Sequence, residues 1–142
     1  MSTVTIHRIV GAKKALDVCR IVEELYLAGR RVVVFVSDAK RAAILDDYLW
    51  TFSQPAFVPH CLWDGGAPVE EQVVLVSGEL ANPNGADVLV VGDRLSDLAA
   101  AGAFSDIHDV VAELVEDAGK SEAWEAAEFT VTNAPGGRAG RG

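Results

Sequence analysis

The 142-residue sequence predicts an α/β domain with a mainly parallel sheet and helices on both faces. Val32–Val36 and Val88–Val91 contain only apolar residues, as expected of strands that are covered on both faces. Segments with helical spacing alternate with the strands in the order β-α-β-α-β-β, which is typical of parallel sheets. Half of the residues are hydrophobic, which is enough for the core of one domain. We therefore predict a single domain over residues 1–133, followed by a flexible Gly/Arg tail over residues 134–142.

The N-terminal part of the chain is predicted to form two strand–helix units. Val4–Val10 reads as a strand, and Lys13–Ala28 has the spacing of an amphipathic helix. The second helix, Ala39–Phe52, follows the strand at Val32–Val36. Ser37 or Asp38 can cap it by accepting a hydrogen bond from a free backbone N–H. The apolar face predicted for the first helix consists of Leu16, Cys19, Val22, Leu25 and Tyr26.

The C-terminal part is predicted to contain shorter elements. They are strands at Val73–Val76 and Val88–Val91, a short helix or turn at Leu95–Ala103, a helix at Ser121–Glu128 and an extended segment at Phe129–Thr132. Val110–Val115 fits a helix by its spacing and a strand by its length and valine content. The segment Cys61–Pro68 is predicted to be a loop because of its glycines and proline.

An aromatic and proline-rich stretch, Leu45–His60, is the most distinctive part of the sequence. Its helical part contains an apolar stripe formed by Leu45, Tyr48, Leu49 and Phe52. Trp50 falls off that stripe. Pro55 ends the helix, because proline lacks an N–H and its ring clashes with the preceding turn. Phe57 follows in a segment between Pro55 and Pro59 that is held extended. Trp50 and Phe57 either complete the core or bind a partner.

The charge of the chain restricts the partners that it can bind. The formal net charge is −9, which disfavours binding to a nucleic-acid backbone, including single-stranded DNA bound through stacked aromatics. The N-terminus has no signal-peptide pattern, and no apolar run is long enough to cross a membrane. We therefore expect a cytoplasmic protein with neither membrane association nor direct nucleic-acid binding.

The cysteines and histidines of the sequence are not spaced as they are in typical metal-binding motifs. Cys19 and Cys61 are far apart, and the neighbouring residues His60 and Cys61 rarely bind one ion together. The two cysteines are expected to be ordinary thiols, and His60 is expected to hydrogen-bond the backbone of its loop. The sequence predicts no metal and no cofactor.

Candidate catalytic groups are few. The turn that contains Lys13 and Lys14 could attract a phosphate, but it has one glycine where a dinucleotide-binding turn has three. Asp93 follows a buried strand, where α/β enzymes place catalytic groups, but no partner base or nucleophile accompanies it. We predict no catalytic residue. A nucleotide-binding or hydrolytic α/β enzyme remains the alternative.

Leu45-Asp-x-x-Leu-Trp50, followed by Phe57-Val-Pro-His60, resembles the chi subunit of bacterial DNA polymerase III holoenzyme. The resemblance extends to Gly29–Val34, Pro68–Ser77 and Asn82–Leu89, and it covers nearly the whole chain up to about residue 115. It implies a three-layer, Rossmann-like fold and a non-enzymatic accessory subunit of the clamp-loader complex.

The resemblance also implies a first partner. In the chi family, the tryptophan and phenylalanine of this stretch bind psi, a small helical subunit that tethers chi to the clamp loader. The matching positions are Trp50 and Phe57, with Val58 adjacent. Interfaces concentrate their binding energy in such aromatic anchors.

A second implied partner is the acidic C-terminal tail of single-stranded DNA-binding protein. Chi receives this tail on a helix rich in Arg, Lys and Tyr, and the matching candidates are Lys120, Trp124 and Phe129. This chain departs from the pattern by carrying Glu122, Glu125 and Glu128 in the same segment. An acidic helix repels an acidic peptide, so the departure weakens the prediction of this contact.

Overall fold

The computed structural model describes residues 2–10, 14–51 and 58–134. Within these ranges the strands are β1 (Thr3–Arg8), β2 (Val32–Val36), β3 (His60–Leu62), β4 (Val73–Ser77), β5 (Val88–Val91), β6 (Asp106–Val111) and β7 (Thr130–Asn133). The α-helices are α1 (Lys14–Leu27), α2 (Ala39–Thr51) and α3 (Lys120–Ala126), and 3-10 helices cover Leu98–Ala103 and Val115–Asp117. The turn at Gly11–Lys13, the residues Phe52 and Phe57, and the predicted tail beyond Ala134 lie outside the described residues.

The strands form one sheet in the order β3-β4-β2-β5-β6-β1-β7, and all neighbouring strands are parallel. This arrangement confirms the predicted α/β fold. Every residue of β2 is buried, because β2 lies near the middle of the sheet and is covered on both faces.

Two hydrophobic cores lie on opposite faces of the sheet, because successive side chains of a strand point to opposite sides. Val34 packs in the core that contains α1 and α2. Phe35, the next residue, packs in the other core with Trp124 of α3 and Phe104. The helices of this chain therefore cover both faces, as predicted.

The buried face of α1 is rotated relative to the prediction. Cys19 and Val22 are buried as expected, but Leu16 is only half-buried. Val18 and Ile21 are buried instead. The spacing of apolar residues indicates that a helix has a buried face, but the exact rotation depends on where β2 and β6 lie beneath it.

Two segments differ from their predicted structure. The ambiguous segment at Val110–Val115 is divided, because β6 ends at Val111 and Val115 begins a 3-10 helix with 94% of its surface exposed. The predicted loop at Cys61–Pro68 begins inside β3, which pairs with β4 at the edge of the sheet. Three residues are too few to give a periodic signal in the sequence. In the described ranges, no helix combines the length and the apolarity that crossing a bilayer requires.

Candidate partner-binding surface

The last turn of α2 presents Trp50 at the surface. Asp38 caps the start of this helix, because its carboxylate accepts a hydrogen bond of 2.8 Å from the Arg41 N–H. Leu45 and Leu49 are buried in the core, as predicted. An α-helix turns by 100° per residue, so the residue after Leu49 points away from the core. Trp50 accordingly keeps 47% of its surface exposed.

Trp50 lies against the ring of His60, the first residue of β3. The two ring centroids are 4.4 Å apart, and the ring planes are inclined by 43°. The His60 side chain is fully buried, and its Nδ1 lies 2.7 Å from the Val58 carbonyl oxygen. This contact confirms that His60 hydrogen-bonds the backbone of its loop. Its Nε2 lies 3.0 Å from a carboxylate oxygen of Asp46 on α2.

Other predicted contacts at this surface have different surroundings. Val58 is 2% exposed and belongs to the core on the α1–α2 side, so its side chain supports the surface from beneath. Tyr48 belongs to the apolar stripe predicted to be buried, but 40% of its surface is exposed. The members of that stripe that pack into the core are Leu45 and Leu49. On the edge strand β3, Leu62 is 45% exposed. Sequence reasoning missed Leu62, since the strand that presents it was not predicted.

The three residues predicted to contact the tail of single-stranded DNA-binding protein are buried or half-buried. Trp124 is 1% exposed, and its indole N–H donates a hydrogen bond of 2.8 Å to Asp109 on β6. Phe129 is half-buried and lies edge-on to Trp124, with ring centroids 5.0 Å apart. Lys120 is 5% exposed, and its Nζ lies 2.8 Å from the other carboxylate oxygen of Asp109. Lys120 and Trp124 are thus almost fully buried, and together with Asp109 and Arg94 they line a cavity of about 150 Å³.

A buried ionic network extends from Lys120 to α1. Asp117 lies 3.3 Å from the Lys120 Nζ and accepts a hydrogen bond of 2.6 Å from the Lys14 Nζ. Its second oxygen accepts a hydrogen bond of 2.7 Å from the Ala112 N–H. Burial acts to raise the pKa of the Asp117 carboxyl, but the bonds from Lys14 and Ala112 and the charge of Lys120 hold it below its ordinary value. Lys14, a candidate phosphate-binding residue in the sequence, is therefore a structural ion-pair partner.

Asp93 is also part of an ion-pair network. It is 3% exposed and accepts hydrogen bonds from the Ser37 N–H at 3.0 Å and the Ser37 hydroxyl at 2.7 Å. Arg41 lies 3.2 Å from the same carboxylate and 3.1 Å from Glu116. The charged residues Lys14, Arg41, Asp93 and Glu116 line a cavity of about 310 Å³ at the carboxyl edge of the sheet. The two positive and two negative side chains balance one another within ion-pair distance.

Within the three described ranges, no three or more His, Cys, Asp or Glu side chains are grouped so that they could hold a metal ion. Cys19 is fully buried, which raises the pKa of its thiol to about 12. Among described positions, Trp50 is thus the predicted site residue whose side chain is most available to another protein.

Comparisons with known proteins identify relatives. The family model described as "DNA polymerase III chi subunit, HolC" matches residues 1–128. The probable DNA polymerase III subunit chi of Rickettsia prowazekii (strain Madrid E) is 32% identical over 74 residues, which cover 52% of this chain and 44% of the relative. The DNA polymerase III subunit chi of Escherichia coli (strain K12) is 44% identical over 57 residues, which cover 37% of this chain and 39% of the relative. The matched segments thus span less than half the length of either curated relative.

Solved structures show the same fold. The DEAD-box helicase domain 2 of Mss116p, which is bound to an RNA duplex in that structure, superposes with a TM-score of 0.65 at 11% sequence identity. The superposition covers 95% of this chain and 64% of the Mss116p chain. At this identity the likeness concerns the fold alone, and it agrees with the Rossmann-like architecture predicted from the sequence.

Proposed function

Because this chain belongs to the DNA polymerase III chi subunit family, we propose that it is a non-catalytic adaptor of the clamp-loader complex that binds a psi-like subunit through Trp50. The family match confirms the resemblance found in the sequence. The binding site, the partner and the absence of catalysis are parts of the proposal.

The observation that carries the proposal is the exposure of Trp50 on a rigid support. Large aromatic side chains dominate the energy of protein interfaces when a partner covers them. Trp50 keeps 47% of its surface exposed although it lies on a buried ring. Leu62 on the edge strand adds a second exposed apolar side chain to this side of the molecule. We include Phe57 in the binding surface on the basis of the family resemblance, and we assign Val58 a supporting role beneath it.

A contact with the acidic tail of single-stranded DNA-binding protein stays a prediction. Of the three candidate residues, Lys120 and Trp124 are buried and only Phe129 is half-exposed. The net charge of −9 also disfavours an acidic ligand. A titration of the whole protein with a synthetic tail peptide tests this contact directly. Saturable binding supports it, and no heat or signal change at millimolar peptide contradicts it.

The psi-like contact is tested with the purified psi-like subunit of the same host in a calorimetric titration. We expect Trp50→Ala to weaken binding by about 30-fold or more, since truncating an anchor residue costs about 2 kcal/mol or more. Phe57→Ala is expected to weaken binding as well. Tyr48→Ala is the matched control, because Tyr48 is an exposed aromatic on the same helix, about 200° away from Trp50. We expect it to bind like the wild type.

Wild-type affinity in both Trp50→Ala and Phe57→Ala would contradict the proposed surface. The alternative, a nucleotide-binding enzyme, is addressed by thermal unfolding in the presence of nucleotides. A ligand at 100 times its dissociation constant adds about 2.7 kcal/mol of stability. A shift of that size would favour the alternative, whereas an unchanged transition supports the adaptor.

A further inference from the structure

We propose that Asp46 and His60 are positioning residues that hold the Trp50 indole in the outward orientation in which a partner binds it. This inference rests on the proposed function, since it concerns the same surface. Asp46 and His60 belong to the sequence pattern of the Leu45–His60 stretch, but so far only Trp50, Phe57 and Val58 have a proposed role. Their geometry shows what the two residues contribute.

His60 is in direct contact with the Trp50 indole. The ring centroids of Trp50 and His60 are 4.4 Å apart, so the histidine forms the floor on which the indole lies. The His60 side chain has no exposed surface, whereas Trp50 is 47% exposed. A partner on the outer side of Trp50 therefore does not meet His60, and the effect of His60 on binding is transmitted through the indole.

The His60 ring has one neighbour at each of its nitrogens. Its Nδ1 lies 2.7 Å from the Val58 carbonyl oxygen, and its Nε2 lies 3.0 Å from a carboxylate oxygen of Asp46. The ring therefore contacts α2 through Asp46 and the segment that precedes β3 through Val58. Rotation of the ring about its side-chain bonds would break the hydrogen bond to Val58 and move Nε2 away from the Asp46 carboxylate.

The Asp46 carboxylate acts on Trp50 through His60. It lies 3.0 Å from the Nε2 of the buried ring, and the indole of Trp50 rests on that same ring. Asp46 thus supports Trp50 by orienting His60.

The helical spacing also places Asp46 and Trp50 next to each other. They are four positions apart on α2, so they lie one turn apart on the same side. Asp47, the next residue, points in another direction and is exposed. Asp46→Asn and Asp47→Asn therefore remove the same charge from the same helix turn, and only the first touches His60.

The test combines fluorine NMR with binding measurements on the whole protein. The tryptophans are replaced biosynthetically by 5-fluorotryptophan, and the Trp50 resonance is assigned as the one absent from Trp50→Phe. We expect Asp46→Asn and His60→Gln to shift and broaden the Trp50 resonance while the Trp124 resonance stays in place. In a titration with the psi-like subunit, both variants are expected to bind about tenfold more weakly, equivalent to about 1.4 kcal/mol. Asp47→Asn is expected to behave like the wild type in both measurements.

The outcomes separate this inference from the proposed function. An unmoved Trp50 resonance in Asp46→Asn, with affinity equal to that of Asp47→Asn, overturns the positioning role even if Trp50→Ala abolishes binding. Wild-type affinity in both Trp50→Ala and Phe57→Ala overturns the proposed binding surface, and the NMR shifts then still decide whether Asp46 and His60 orient the indole. If His60→Gln fails to fold, Asp46→Asn alone decides, because it is isosteric and changes a partly exposed side chain.

Discussion

Trp50 and Trp124 both lie next to an aspartate and a basic side chain, yet they occupy opposite environments. Trp50 is 47% exposed, and Trp124 is 1% exposed. Trp50 lies at the end of α2 against His60 of β3, which is an edge strand of the described sheet, so its indole lies at the margin of the sheet. Trp124 is bonded to Asp109 on β6, which lies between β5 and β1 inside the sheet. The position of the neighbouring strand in the sheet separates a surface tryptophan from a core tryptophan.

His60 and Lys120, the side chains near the two tryptophans, also differ in their surroundings. His60 supports Trp50 from below and leaves its outer side accessible. Lys120 is buried, and its Nζ lies within ion-pair distance of Asp109 and Asp117. The comparison shows that the Trp50 region leaves an aromatic side chain at the surface, whereas the Trp124 region places its aromatic side chain in the core.

The largest expected effect comes from Trp124→Ala. Truncating a buried tryptophan leaves a cavity and removes the indole hydrogen bond to one oxygen of Asp109, so we expect the free energy of unfolding to fall by about 3–5 kcal/mol. Urea denaturation followed by far-UV circular dichroism measures the change. A loss below about 1 kcal/mol would show that Trp124 is not part of the core and would remove the contrast with Trp50.

Asp117→Asn is expected to lower the free energy of unfolding by about 3 kcal/mol at neutral pH, because it leaves Lys14 and Lys120 buried beside a neutral amide. Glu125→Gln, on the exposed side of α3, is the matched control and should change little. The effect should also depend on pH. The pKa of Asp117 in the folded protein lies below its ordinary value of 3.8, which the unfolded chain retains.

The sign of this pH dependence follows from the direction of the pKa shift. A lowered carboxyl pKa contributes stability above the unfolded-state value and loses it as the pH falls through the folded-state value. The wild type and Asp117→Asn should therefore differ most near neutral pH and converge in acid. A difference that is constant from pH 7 down to pH 2 would contradict the assignment of Asp117 as the stabilising charge.

The smallest expected effect concerns Trp50 in the isolated protein. Surface substitutions usually change stability by less than about 0.5 kcal/mol, and we expect Trp50→Ala to stay within about 1 kcal/mol because it loses its contact with His60. Acrylamide should quench the fluorescence of Trp50, measured as the difference between the wild type and Trp50→Phe. The quenching of Trp124 is measured separately, as the difference between the wild type and Trp124→Phe, because Trp63 also emits in every one of these proteins. We expect Trp124 to be quenched less than Trp50, and equal quenching of Trp50 and Trp124 would contradict the comparison.

Much of the architecture could be predicted from local patterns. The apolar runs predicted β2 and β5, and helical spacing predicted α1 and α2 to within a few residues. The prediction that Trp50 lies off the buried stripe of α2 is also confirmed. Local patterns could not predict β3, since a strand of three residues has no period to detect.

The sequence by itself determined the α/β class, the parallel sheet, the family and the position of Trp50 off the apolar stripe of α2, because these depend on the periodicity and motifs of neighbouring residues. Tertiary structure decided which charged side chains are buried, that Trp50 is exposed and that Trp124 lies in the core. Lys14 and Asp117 are 103 positions apart, and Lys120 and Trp124 reach Asp109 only after α3 packs on the sheet. Burial depends on contacts between segments that are distant in the chain, so the same residue type lies at the surface in one place and in the core in another.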